Sequence, residues 1–292
     1  MQPLNQEVAD LAMQRAISLA YQGPRSTNPR VGCVIIDEFG IELGAGFHHG
    51  AGTAHAEVEA LAIAGEGAKG ATAVVTLEPC SHTGRTGPCT EALIAAGIAR
   101  VVYAQKDPTS EASGGAAVLK DAGVEVIEGL ELEAAARINT AWTHVQLTGR
   151  PYVVLKLAHT LDARVSDGSG GRTPISGAAA RFITHELRSQ SDAVLVGTAT
   201  ALTDDPQLTV REFAVDAQPL RVVMGQRELP EALRVLDDAA PTLLIQESDP
   251  QRALEMLLAA GVQQVLLEGG PTLAAAFLEA ECVDEVVWFI AP

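Results

Sequence analysis

The sequence predicts an α/β protein of two domains, each built on a mainly parallel sheet. Short apolar runs alternate with amphipathic stretches of about ten residues along the chain, as in strands connected by helices. At 292 residues the chain is long for a single core. Gly149-Arg150-Pro151 interrupts the alternation near its midpoint, which sets the domains at 1–148 and 149–292.

Val8, Leu11, Ala12, Ala16, Leu19 and Ala20 recur at the spacing of one helix face, predicting a helix over 5–21 that Gly23-Pro24 stops. Val31–Ile36 reads as a buried strand, Asp37–Gly40 as a hairpin loop and Ile41–Phe47 as the returning strand. His55–Ala64 is predicted helical, Ala71–Leu77 a strand, and Pro88–Ala96 a helix with proline in its first turn. Arg100–Gln105 and Val124–Ile127 are further strands, with helices over Gly114–Ala122 and Glu131–Thr143.

In the second half, Tyr152–Ala158, Ala193–Val196, Leu220–Met224, Thr242–Gln246, Val265–Leu267 and Glu285–Ile290 are the predicted strands. Ser176 is the expected cap of a helix running to about Gln190, and Asp249-Pro250 starts another over Gln251–Ala260. A last helix is predicted over Thr272–Ala280.

Composition narrows the function. A net charge of −17 argues against a nucleic-acid binder, which needs a basic face to displace condensed counterions. No apolar run reaches the ~18 residues of a membrane span, and the polar N-terminus does not read as a signal peptide. Four cysteines in a chain of this length suit thiols or metal ligands in a reducing cytoplasm, where the protein is expected.

Two constellations carry chemistry. The first is His55-Ala56-Glu57 at a helix start, with Pro79-Cys80 at a strand end and Pro88-Cys89 eight residues further on. Alone, the histidine reads as a cap and each cysteine as a small buried apolar group. Together His55, Cys80 and Cys89 are three zinc ligands with a fourth position open, the mark of a catalytic rather than a structural site. Glu57, two residues from a ligand, can lie beside the metal's water and move protons as general acid and base. Cys33, inside an apolar strand, reads as core.

His55-Ala-Glu57, Pro79-Cys80 and Cys89 resemble the cytidine-deaminase-like zinc fold. Most of that superfamily has two residues between its cysteines. The eight here, with Asn28-Pro-Arg-Val-Gly-Cys-Val34, Gly46-Phe-His48 and Thr76-Leu-Glu-Pro-Cys-Ser-His82, resemble the deaminase domain of the bifunctional riboflavin-biosynthesis deaminase/reductase family. The resemblance implies a three-layer deaminase domain acting on a diaminopyrimidine that carries a ribosylamino-phosphate. It also places Asn28, His48 and His82 in the substrate pocket. Arg85, in the loop between the cysteines, is a phosphate partner by its chemistry. Thr27 stands where the family usually has proline.

The second constellation has no Gly-x-Gly-x-x-Gly fingerprint. Lys156 lies inside an apolar strand, where it needs a partner or a ligand. Thr203-Asp-Asp-Pro206 and Arg211 put charge into a predicted loop, and Glu268-Gly-Gly-Pro-Thr-Leu273 is a strand end, a glycine turn and a helix start that suits an anion. With Leu187-Arg-Ser-Gln190 and Thr200–Leu208, these stretches resemble the reductase half of the same family, whose fold is that of dihydrofolate reductase. By position the resemblance assigns NADPH to Ala158, Thr200, Asp204, Gly270, Pro271, Thr272, Leu273, Ala274, Ala275 and Ala276. It assigns the ribose-phosphate substrate to Lys156, Arg188, Leu208, Arg211 and Glu268. Ala163 replaces the usual glycine after Leu-Asp, and Pro174 stands near a usual tryptophan. Relative to the family, this domain is expected to be incomplete at its C-terminal edge.

Zn2+ and NADPH are thus the expected cofactors, a small pyrimidine the partner, and a homodimer or higher homo-oligomer the expected assembly. Two other readings compete: a base or nucleoside deaminase with a non-catalytic second domain, and a binding protein stapled by structural zinc. Glu57 argues against the last, because a structural site has no use for that carboxylate.

Overall fold

A computed structural model describes residues 4–82, 87–110, 112–166, 168 and 175–291. The chain forms two compact units, 1–147 and 148–292.

The first unit runs α1 (Gln6–Ala20), β1 (Gly32–Ile36), β2 (Glu42–Phe47), α2 (Ala56–Ala64), β3 (Thr72–Leu77), α3 (Cys89–Ala95), β4 (Arg100–Gln105), α4 (Gly115–Asp121), β5 (Glu125–Glu128), α5 (Leu132–Ala136) and α6 (Thr140–Thr148). Its sheet has the order β2-β1-β3-β4-β5, with β1 antiparallel to both neighbours and the remaining pairs parallel. The central strands are buried throughout and mostly apolar, because both faces are covered. Strand alternation divides them into two layers of core. Cys33, Ile35, Ala73, Val75, Val101 and Tyr103 pack with Ala60, Leu93 and Leu119 from α2, α3 and α4. Val34, Ile36, Val74, Val102 and Ala104 pack with Met13 and Ala16 from α1 and Ala135 from α5.

Gly44 and Gly46 let α2 close directly onto β2. A Cβ on Gly44 would sit 2.3 Å from the Ala60 carbonyl oxygen, and one on Gly46 2.8 Å from that of Ala56. Because β2 and β3 run in the same direction, the start of α2 and the segment after β3 meet at one sheet edge.

The single helix predicted over Glu131–Thr143 is instead two, α5 and α6, joined by the 3-10 turn Arg137–Asn139 and continuing to Thr148. Asn139 breaks the run by turning its side chain to the backbone of Arg30.

The second unit runs β6 (Tyr152–Thr160), α7 (Ala178–Ser189), β7 (Ala193–Gly197), α8 (Thr198–Asp204), β8 (Leu220–Met224), β9 (Thr242–Ile245), α9 (Pro250–Ala259), β10 (Gln264–Leu267), α10 (Pro271–Glu279) and β11 (Glu285–Ala291). Six strands in the order β11-β6-β10-β7-β8-β9 pair in parallel throughout. Asp249 caps α9 by accepting the Gln251 N–H at 2.9 Å. Ser176 does not cap α7. Gly177 occupies that position, and the Ser176 carbonyl accepts from Arg181 at 2.9 Å instead. The stretch around Thr203 and Asp204 is not wholly loop: it closes α8, and Asp205 leaves that helix in the left-handed conformation at φ 41°. Ala163 is also left-handed, at φ 61°, which is why glycine is the easier residue there.

Candidate active site: a zinc-ligand triad and a buried carboxylate

His55 takes the N-cap position of α2 but makes no capping bond with its side chain. Its imidazole turns inward: Nδ1 lies 3.2 Å from Cys89 Sγ and 3.6 Å from Cys80 Sγ. All three ligand atoms fall within 4.8 Å of one another. Tetrahedral zinc with bonds of about 2.0 Å to nitrogen and 2.3 Å to sulfur separates such ligands by roughly 3.5 Å, so the triad fits the ion. Cys89 is the first residue of α3, and its N–H donates to Cys80 Sγ at 3.4 Å. Hydrogen bonds from the Cys89 thiol, from His55 and from that N–H bring the Cys80 thiol down to about 4. The same contact and burial push Cys89 up.

Glu57, the second residue of α2, is 4% exposed. Burial raises its carboxyl above the usual range, opposed by its own backbone N–H and by a hydrogen bond from Cys89. The carboxylate therefore stands against the ligand cluster without belonging to it. His48 completes the wall, its ring edge-on to His55 with centroids 5.3 Å apart. Its Nδ1 faces the Ala54 carbonyl at 3.3 Å, and burial lowers its pKa, favouring a neutral ring with an accepting Nε2. Asn28 is half-buried in the turn before β1, His82 is exposed, and Arg85 and Pro174 lie outside the described residues. Cys33 is fully buried in the core, as expected, and burial raises its thiol.

In the second unit the predicted residues gather in two places. Arg188 on α7 grips Glu268 at the end of β10 with two bonds of 2.6 and 3.0 Å, and donates a third to the Thr209 carbonyl at 3.0 Å. Arg211 donates to Thr209 Oγ1 at 2.9 Å. Burial pushes the Glu268 carboxyl up, but the Arg188 guanidinium outweighs it and holds the group below its usual range. Lys156 lies over the Phe289 ring at 5.8 Å from its centroid. The second gathering is at the start of α10, where Gly270 donates its N–H to Thr200 Oγ1 at 3.2 Å and Pro271 and Thr272 expose the first turn. That suits a cofactor phosphate. Ala158 is half-buried on β6, and Asp204 ends α8. Ala274 instead faces the core, and the Leu208 side chain is 1% exposed, leaving its backbone, at φ 56°, as the part that can meet a ligand.

Comparison with known proteins decides the family. Residues 6–105 match the cytidine and deoxycytidylate deaminase zinc-binding region, and 151–292 match the RibD C-terminal domain. The riboflavin biosynthesis protein RibD of Mycobacterium tuberculosis is 46% identical over 289 residues, covering 97% of this chain and 85% of the relative. That of Escherichia coli is 42% identical, covering 96% and 86%. This chain belongs to the bifunctional riboflavin-biosynthesis deaminase/reductase family. Solved members agree in fold: the Acinetobacter baumannii RibD structure superposes with a TM-score of 0.86 at 39% identity over 99% of this chain and 88% of that one. A Thermotoga maritima deaminase/reductase gives 0.88 at 32% identity over 98% and 87%. The family membership makes the chain an enzyme of riboflavin biosynthesis with a zinc-dependent deaminase half and an NADPH-dependent reductase half. No helix among the described residues is long and apolar enough to cross a membrane.

Within this deaminase/reductase, sequence reading missed two residues that hold the predicted ones. His185, 6% exposed, accepts the Arg211 N–H on Nδ1 at 3.1 Å and so fixes that loop. Asn139, 5% exposed, accepts the Arg30 N–H and donates to the Arg30 carbonyl, both at 2.8 Å, two residues from Asn28. Asn139→Ala removes both of these bonds, at about 0.5–1.5 kcal/mol each. It should raise KM for the pyrimidine several-fold with a smaller change in kcat, read from steady-state ammonia release. Unchanged KM would mean that the turn holds its place without the clamp.

Proposed function

We propose that His55 Nδ1, Cys80 Sγ and Cys89 Sγ hold the catalytic zinc and that Glu57 is the proton carrier in deamination of 2,5-diamino-6-(5-phosphoribosylamino)pyrimidin-4(3H)-one. The observation that carries this reading is a carboxylate buried against three ligand atoms that fit zinc. Zinc bound there supplies a water whose pKa is drawn toward neutrality. Glu57 would take one proton from the attacking water and deliver it to the ring nitrogen as the water oxygen bonds to the amine-bearing ring carbon; it would then pass the remaining hydroxyl proton to the exocyclic amine, which leaves as ammonia as the carbon–nitrogen bond breaks and the carbonyl forms. A carboxylate whose pKa is raised by burial takes such a proton more readily than an exposed one. Asn28, His48 and His82 hold the base, the neutral His48 ring offering Nε2 as an acceptor, and Arg85 meets the phosphate.

The reductase half, taken as 149–292 with the deaminase domain as 1–148, then binds the deaminated product. NADPH supplies the hydride that converts ribosyl to ribityl. Thr200, Asp204, Ala158 and the 270–276 turn seat the cofactor. Arg211 forks the phosphate, while Lys156 and the Arg188–Glu268 pair line the sugar site. The chain works in the cytoplasm, where its buried thiols stay reduced, as a homodimer or higher homo-oligomer. Incubating the protein with the diaminopyrimidine should give the deaminated mass without NADPH and that mass plus two hydrogens with it. Absence of the first product would overturn the deaminase assignment. Failure of supplied deaminated substrate to oxidise NADPH would overturn the reductase assignment.

A further inference from the structure

One buried carboxylate of the first unit takes no part in the chemistry above. Glu78 is 3% exposed, directly after β3 and two residues before Cys80. Its own N–H donates to the Gln105 carbonyl at 2.8 Å, extending the β3–β4 pairing. Its carboxylate is taken up by main-chain donors: Oε1 accepts from Gly114 at 3.2 Å and Ala116 at 3.0 Å, and Oε2 accepts from Asp107 at 3.3 Å. All three donors lie in residues 107 and 112–116, and these form the wall behind Pro79-Cys80. A Cβ on Gly115 would lie 1.8 Å from the Pro79 carbonyl oxygen. Ser81 Oγ donates to the Ser113 carbonyl at 3.2 Å, and Ala112 packs in one apolar cluster with Cys80 and Cys89.

We propose that Glu78 is a positioning residue of the zinc site. By drawing the wall of 107 and 112–116 onto Pro79-Cys80, it fixes where Cys80 Sγ points relative to His55 Nδ1 and Cys89 Sγ. The inference rests on those three groups being the zinc ligands. Only a carboxylate meets the demand, since three N–H groups converge on its two oxygens. A glutamine would turn its NH2 toward one donor or another and lose at least one bond. Groups that orient metal ligands without touching the metal cost about 10–100-fold in metal affinity when removed.

The test uses the full chain loaded with Co2+, whose visible bands report ligand geometry and thiolate bonding. Glu78→Gln should release metal to a chelator about tenfold faster and Glu78→Ala about a hundredfold faster, each with shifted cobalt bands. Lower melting temperatures with unchanged bands and unchanged release would mean that Glu78 only stabilises the fold, and would overturn the proposal. Should Glu78→Ala fail to fold, Glu78→Gln, which keeps the shape of the side chain, decides. A parent chain showing no thiolate-to-cobalt absorption would overturn the ligand assignment, and the proposal with it.

Discussion

Glu57→Gln should lower the rate of ammonia release about a hundred- to ten-thousandfold, the usual worth of a positioned general acid and base, while zinc stays bound. The amide keeps the shape of a side chain that is 4% exposed, so the buried start of α2 and the neighbouring His55 keep their places. What it loses is a group able to take a proton from water and surrender it to the leaving amine. Three measurements separate the explanations: ammonia by a coupled assay, zinc by atomic absorption, and NADPH oxidation with supplied deaminated substrate, which should not change. Loss of metal would make Glu57 a structural support of the site, and an unchanged rate would remove it from the mechanism.

Arg188→Met should destabilise the second unit by about 3–5 kcal/mol, because it leaves the Glu268 carboxylate buried and unpaired. Both side chains are 9% exposed, so solvent does little to screen the pair. Adding Glu268→Gln should restore part of the loss, since the penalty lies in the stranded charge rather than in the missing contact. Reductase activity should fall in both variants, because Glu268 and Thr209 lose the group that fixes them. Urea unfolding followed in the second unit reads the stability, and additive effects in the double variant would show that the two residues are not coupled. The pair also has a pH signature. The folded Glu268 pKa is held below its unfolded value, so its contribution is present above the unfolded carboxyl pKa of about 4.3 and is lost as pH falls through the folded one.

The strands were legible because burial on both faces writes them as apolar runs, as in Thr72–Leu77 and Ala193–Gly197. The zinc triad was legible because histidine, cysteine and glutamate advertise their chemistry by type. Helix α8 was not: Thr198-Ala-Thr-Ala-Leu-Thr-Asp204 contains three threonines with weak helix propensity, and it stands on the burial of residues such as Ala201. Glu78 stands in the resembling stretch Thr76–His82, but neither its bonds nor those of Asn139 could be read there. Their partners are main-chain atoms that lie 29, 36, 38 and 109 residues away, and only the fold brings them together. Sequence resemblance placed Arg188 and Glu268 in one site but could not show that they grip each other.

The glycines under α2 bear on how finely the metal site is machined. A helix resting on side chains has compressible bearings: rotamers hop, methyl groups give way, and the helix can ride up or slide by a few tenths of an ångström. At Gly44 and Gly46 there is no such cushion, since the backbones of β2 and α2 meet directly. His55 and Glu57 hang from the end of that helix, so the placement of a ligand and of the proton carrier is set by a main-chain joint with almost no play. The deaminase half obtains precision here by omitting side chains, and a single methyl at either glycine would be felt at the zinc site through displacement of the whole helix.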